Sequence, residues 1–199
     1  MRQRPQPKPG ANLIGERSGV AAIEFALIFP VMLSLFLGSY EATNLVLASM
    51  KLEASAETAA DLVAQTKVNT VLQSTDFTNF TNAAKRVLTP LATGSTQLKI
   101  AYASVTYNSG RPVIDWHLEV NGASAITLGN LPNGASLANL GSQTAGSTDS
   151  LIIVTLTYAY SSPISYALNS AYTLTESAFN RPRYMNCVPT YLNTGGLCP

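Results

Sequence analysis

The sequence predicts an α+β fold: a long N-terminal transmembrane and stalk helix packed with a short helix against a small antiparallel β-sheet. Three observations carry that expectation. A span-length apolar run, Val20 to Ser39, broken only by Glu24, leads directly into residues with helical spacing as far as Gln65. A second amphipathic stretch, TDFTNFTNAAKRVLTPL, ends at Pro90. Beyond it the period changes to two, with alternating or β-branched segments separated by turn-forming residues.

Taken in order, the chain opens with a Pro-rich leader, RPQPKPG, that has little capacity to fold. From Val20 to Ser39 every residue is apolar or small except Glu24. About 20 such residues span a bilayer core as a helix. Leu45, Leu52, Ala56, Ala59 and Val63 then recur on one helical face, with Glu53, Glu57 and Asp61 mainly elsewhere. One helix is therefore expected from Val20 to Gln65, about 70 Å long, broken or bent at Pro30. In the second helix Ser74 or Thr75 would cap the start, and Phe77, Phe80, Ala84, Val87 and Leu88 would form the buried stripe. QLKIAYASVTY and VIDWHLEVN read as a hairpin turning at Asn108-Ser109-Gly110. In its second strand Ile114, Trp116, Leu118 and Val120 would share one face, leaving Asp115, His117 and Glu119 on the other. NGASLANLGSQTAGSTDS has the composition of a flexible loop, LIIVTLTYAY is a strong strand, and a last strand falls within AYTLTESAFN. The tail NRPRYMNCVPTYLNTGGLCP is irregular.

Composition narrows the function classes. In 199 residues the net charge is +1 and charged residues make up 12%, about half the usual share, with polarity supplied by Ser, Thr, Asn and Gly. No basic field exists to hold a phosphate backbone, so no nucleic acid partner is expected. The two cysteines, Cys187 and Cys198, lie close together in the tail. Outside the cytoplasm such a pair is expected to form a disulfide, worth roughly 3 kcal/mol for so short a loop. With one distant histidine they cannot complete a zinc site, and no metal or other cofactor is expected.

Charge sets the orientation. Arg2, Arg4, Lys8 and Arg17 precede the apolar run, opposed only by Glu16, whereas Glu41 follows it before Lys51. The amino terminus is then cytoplasmic and everything after Tyr40 outside. A cleaved secretory signal has a shorter apolar core, and the passable site Val46-Leu47-Ala48 comes only after Glu41 and Asn44. The unusual residue is Glu24. A carboxylate inside a span costs about 2.5 to 3.5 kcal/mol on insertion scales and normally has a partner.

Gly19-Val20-Ala21-Ala22-Ile23-Glu24-Phe25 resembles the processing site of type IV pilin-like proteins. More closely, GVAAIEFALIFPVML is similar to the opening of the TadE/TadG-like pseudopilins of the tight-adherence (Flp-type) pilus system, with Arg17, Gly19, Ala21, Ala22, Glu24, Phe25 and Pro30 at the matching positions. ESAFNRPRYM resembles that family's carboxy-terminal pattern. The resemblance implies a prepilin peptidase cutting between Gly19 and Val20. Glu24 would then be the fifth residue of the mature chain, with Glu24, Phe25 and Pro30 serving assembly and register. Flp pilins are very short, so a chain with this large a head resembles a minor pilin or pseudopilin rather than the major subunit.

These readings together divide the chain into a cytoplasmic leader (1–19), a transmembrane helix (20–40), an extracytoplasmic helical stalk (41–67) and an α+β head (68–199). The expected function is initiation, capping or support of pilus assembly for surface attachment. The partners are the membrane, the prepilin peptidase, other pilins and the inner-membrane platform of the pilus. The expected location is the bacterial inner membrane with a periplasmic head, retained there or carried into the fibre. The alternative is an uncleaved, single-pass extracytoplasmic adhesin or accessory envelope protein. No Walker, HExxH or GxSxG motif is present, and His117, Asp115 and Glu119 lack a companion nucleophile, so neither enzymatic activity nor a small-molecule substrate is expected.

Overall fold

The computed structural model describes residues 19–108, 111–133, 150–166 and 171–193. Helix α1 (Val20–Ala64) and helix α2 (Ser74–Leu88) precede four strands: β1 (Leu98–Asn108), β2 (Arg111–Val120), β3 (Ser150–Tyr160) and β4 (Tyr172–Asn180). All pairings are antiparallel in the order β2-β1-β3-β4. The fold is α+β, with both helices on one face of the sheet. Ser109 and Gly110 of the expected turn, and 134–149 of the expected loop, lie outside the described residues.

The apolar residues along α1 change character at Glu41. Residues 20–36 are exposed all round, whereas from Glu41 onward one face is buried: Glu41, Ala48, Leu52, Ser55, Ala56, Ala59, Ala60, Val63 and Ala64. Alanine dominates that face, so neighbouring backbones can approach closely. Ser55 Oγ donates to Ala84 O of α2 at 2.8 Å, a direct side-chain to main-chain tie between the helices. The stretch expected as a stalk is thus a layer of the head. Helix α1 continues through Pro30, which has no N–H to offer Ala26 O.

Helix α2 begins one residue earlier than the sequence suggested. Gln73, not Ser74 or Thr75, occupies the N-cap, and its backbone N–H donates to Asp76 Oδ2 at 2.8 Å. The acid in the first turn thereby satisfies an orphan donor and complements the helix dipole. The buried stripe is Phe77, Thr81, Ala84 and Leu88, with Phe80 and Val87 only half-buried. Thr81 is buried because its hydroxyl bonds Tyr102 Oη at 3.1 Å, and burial pushes the Tyr102 phenol up to about 12. Phe77 is the hub of the inner core. Its ring lies 5.4 Å from Tyr102, 5.5 Å from Trp116 and 6.0 Å from Phe80 in edge-on contacts.

The sheet is buried on two sides. Leu98, Ile100, Tyr102, Ile152, Val154, Leu156 and Tyr158 face the helices. Ala101, Ala103, Val105, Leu151 and Ile153 face a smaller second core, covered by Ala123, Ile126 and Leu131 from the chain after β2. This explains the apolar run 151–154 that follows Ser150: the first five residues of β3 are all buried, and alternation begins only afterwards.

One expected alternation fails. Ser104 pairs with Trp116 and Val105 with Ile114, leaving Asp115 as the extra residue of a β-bulge. Trp116, Leu118 and Val120 therefore face the inner core while Ile114 packs into the outer one. Asp115, expected on a solvent face, is buried at 8% exposure.

The tail after β4 closes the open end of the inner core as a strap. Arg183 N donates to Ala64 O (2.9 Å), Ser150 N to Asn186 O (2.8 Å) and Trp116 Nε1 to Val188 O (2.9 Å). Leu72 then bridges Thr190 in parallel, flanked by bonds to Pro189 O and from Tyr191 N.

Phe77→Ala is expected to destabilise the folded head by about 3 to 5 kcal/mol, as for other large-to-small changes at filled aromatic sites, measured by urea denaturation in detergent. Asp115 supplies a pH test. Desolvation raises its carboxyl from 3.8 to about 6, so the native state retains the proton longer than the unfolded chain. The contribution of this group is complete below the unfolded value and is lost as pH rises through about 6. Asp115→Asn should match the parent near pH 4 and exceed its stability near pH 8 by up to about 2 kcal/mol, less than the full shift because the carboxyl is partly solvated.

Candidate functional site: the exposed helix and its junction with the head

The processing and assembly residues expected from sequence all lie at one end of α1. Gly19 is the N-cap, with φ −82° and ψ −18°, and makes no side-chain capping bond. The first turn holds no acidic residue, so the leading N–H groups and the positive end of the dipole have no carboxylate until Glu24. Val20 and Glu24 stand four residues apart and so share a helical face. Glu24 is exposed, with no hydrogen-bond or ion-pair partner among the described residues. Phe25 lies against Phe29 with ring centroids 5.4 Å apart. Ser34 Oγ donates to Pro30 O at 2.8 Å, turning its hydroxyl back onto the helix.

This surface is large and apolar. Ile23, Phe25, Leu27, Val31, Leu35 and Phe36 are each well over half exposed, and an 18-residue window has mean hydropathy 2.4 with none of it buried. A monomer in water would not leave such a surface open. It is the one helix among the described residues long and apolar enough to cross a membrane, and it fits a single-pass anchor. The bare segment, 20–36, measures about 25 Å, close to the thickness of a hydrocarbon core.

At the head end of this segment stands a residue that sequence alone presents only as a flanking charge. Glu41 is fully buried. Its Oε1 accepts from Ser162 Oγ (2.8 Å) and from the backbone N–H of Tyr166 (2.6 Å), both in the loop after β3. Burial, and then the nearby Glu41 and Tyr40, raise the Tyr160 phenol above its ordinary value. Farther along α1, Ser49 Oγ donates to Glu176 (3.0 Å), and Asp61 pairs with Arg183. Glu176 and Arg183 belong to ESAFNRPRYM, so this segment packs along the same helix.

A model of the family described as TadE-like protein matches residues 19–61. That segment is TadE-like. The TadE-like match starts at the helix cap and ends at Asp61, four residues past Glu57 on α1; α2, the sheet and the strap lie beyond it. No curated protein and no solved structure matches the chain. The TadE-like segment therefore contains both the exposed apolar surface and the alanine-rich face buried in the head.

Elsewhere the chemistry is sparse. Among the described residues no group of three or more metal-ligating side chains converges. His117 Nδ1 meets Glu119 Oε1 at 2.6 Å on the exposed face of β2. Asp115 Oδ2 lies 3.7 Å from Cys187 Sγ beneath the strap, and Cys198 lies outside the described residues. A groove of about 620 Å³ between α1 and β4 is lined by Glu57, Thr58, Asp61 and Ser177.

Glu41→Ala should release the loop 162–166 without unfolding the sheet. Its amides are expected to exchange hydrogen at least tenfold faster, corresponding to about 1.4 kcal/mol of lost charged hydrogen bonding, while protection in β1 and β3 is unchanged.

Proposed function

We propose that this chain is a minor pilin or pseudopilin precursor of a tight-adherence pilus, acting as a structural and interaction protein. The observation that carries this reading is the TadE-like α1, which begins at a glycine N-cap and holds, one turn inside an otherwise apolar exposed surface, a single carboxylate with no partner among the described residues. A prepilin peptidase on the cytoplasmic face would remove residues 1–19. Gly19 suits that cut, because a residue without Cβ lets the backbone leave the helix and extend into a protease groove.

Cleavage would place an ammonium on Val20. That charge adds to the positive helix dipole and is unfavourable beside lipid unless an anion meets it. Glu24 is the acid within reach, on the same helix or on a neighbour packed in register. Pairing would offset the burial of both charges and favour one axial stagger between protomers. The remaining exposed surface, Phe25 and Pro30 included, would pack against other pilin helices. In this reading 20–40 cross the inner membrane, 41–67 begin the extracytoplasmic part, and 68–199 form a periplasmic head. Cys187 and Cys198 would close a disulfide that secures the end of the strap in that oxidising compartment.

Mass spectrometry of the amino terminus tests the processing step. The mature chain should begin at Val20, Gly19→Ala should slow maturation, and a bulkier residue should block it. Intact chain beginning at Met1 in pilus-producing cells would instead favour an uncleaved anchored adhesin. Glu24→Ala should mature normally yet reduce piliation at least tenfold, read by counting fibres; normal piliation in that variant rules out the pairing role.

A further inference from the structure

We propose that the loop 161–166, Ser-Ser-Pro-Ile-Ser-Tyr, is a second membrane contact that seats the head in the interfacial layer of the bilayer, with Ile164 and Tyr166 facing lipid. The inference rests on the reading that 20–40 lie in the membrane, and goes beyond it by assigning a lipid-contacting surface to the head.

Position is the first argument. Tyr166 Oη donates to Ser34 Oγ at 2.9 Å, and Ser34 sits within the segment of α1 that is exposed all round. Ser34 is six residues before Tyr40, so it lies about 9 Å inside the head-side end of a span ending there. Any bilayer that covers the apolar surface to that end also meets Tyr166. Ile164 and Tyr166 are 45% and 53% exposed, and the loop contains no charged side chain.

The second argument is hydrogen-bond satisfaction. An irregular segment can enter a poorly hydrated layer only if its polar groups find internal partners. Here a relay runs from the Tyr166 hydroxyl to Ser34 Oγ, and from the Ser34 hydroxyl to Pro30 O. The Ser162 hydroxyl and the Tyr166 N–H are both spent on Glu41. Ser165 N donates to Ser162 Oγ (3.4 Å) and Ser165 Oγ to Ser162 O (3.1 Å). Pro163 has no N–H to satisfy. These bonds leave fewer of the loop's polar groups in need of water. Tyrosine, with an apolar ring and a polar tip, is also the residue type enriched at membrane interfaces.

The test uses the full chain in vesicles of phosphatidylcholine and phosphatidylglycerol, with bromines either near the top of the acyl chains or near the bilayer centre. Tryptophan is introduced separately as Ile164→Trp, Tyr166→Trp and Phe36→Trp; the emission of Trp116, buried in the head, is subtracted using the parent. The proposal expects the added emission of both loop variants to be blue-shifted and reduced by about half with the shallow bromines, and less with the deep ones. If Phe36→Trp is quenched while both loop variants emit as in water, the membrane span stands and the seated loop is overturned. If Phe36→Trp is itself unquenched, the span reading fails, and this proposal with it.

Discussion

One helix has to satisfy two solvents, and Glu41 stands where they meet. Before it, α1 is exposed on every side and apolar but for Glu24 and a few hydroxyls; after it, a single alanine-rich face is buried. A buried carboxylate at that boundary is tolerable only when its hydrogen-bond capacity is filled, and the loop after β3 fills it with a hydroxyl and a backbone N–H. The bonds fix the height at which the head begins along the helix. A head joined only by apolar packing could slide along a face of repeated alanines with little penalty. Directed hydrogen bonds remove that freedom.

The head solves a related problem, because its four-stranded sheet cannot leave either face of its central strands open. The two helices cover one face, and the chain after β2 folds back over part of the other. The bulge at Asp115 reconciles the two cores along one edge strand: it turns Ile114 outward while keeping Trp116 inward, where the indole reaches the strap. The buried, partly unsatisfied carboxyl of Asp115 accompanies that change of register.

The elements with strong period were legible in the sequence. Apolar length and helical spacing gave α1 to within a residue, and alternation with β-branched residues gave all four strands. Features that depend on partners distant in sequence were not legible. Glu41 read as an ordinary flanking charge because Ser162 and Tyr166 are more than a hundred positions away. Asp115 read as solvent-facing because one inserted residue reverses a strand's alternation without altering composition. The N-cap of α2 was misplaced because Ser and Thr are intrinsically better caps than Gln, and only the position of Asp76 reverses the preference. For the exposed apolar surface the residues were visible at once, since a lone acid in an apolar run is conspicuous. The signal for the junction was also present, as a second acid just past the end of that run.

The ties between α1 and the rest of the molecule are spread along its length rather than gathered at one point. Ser162 and Tyr166 hold Glu41, Glu176 holds Ser49, and the chain beyond β4 returns to Asp61 and Ala64. A pull directed along the helix axis loads these attachments in shear. Because α1 runs without a break from its exposed end through all of these attachments, tension at one end would reach the sheet along one continuous helix.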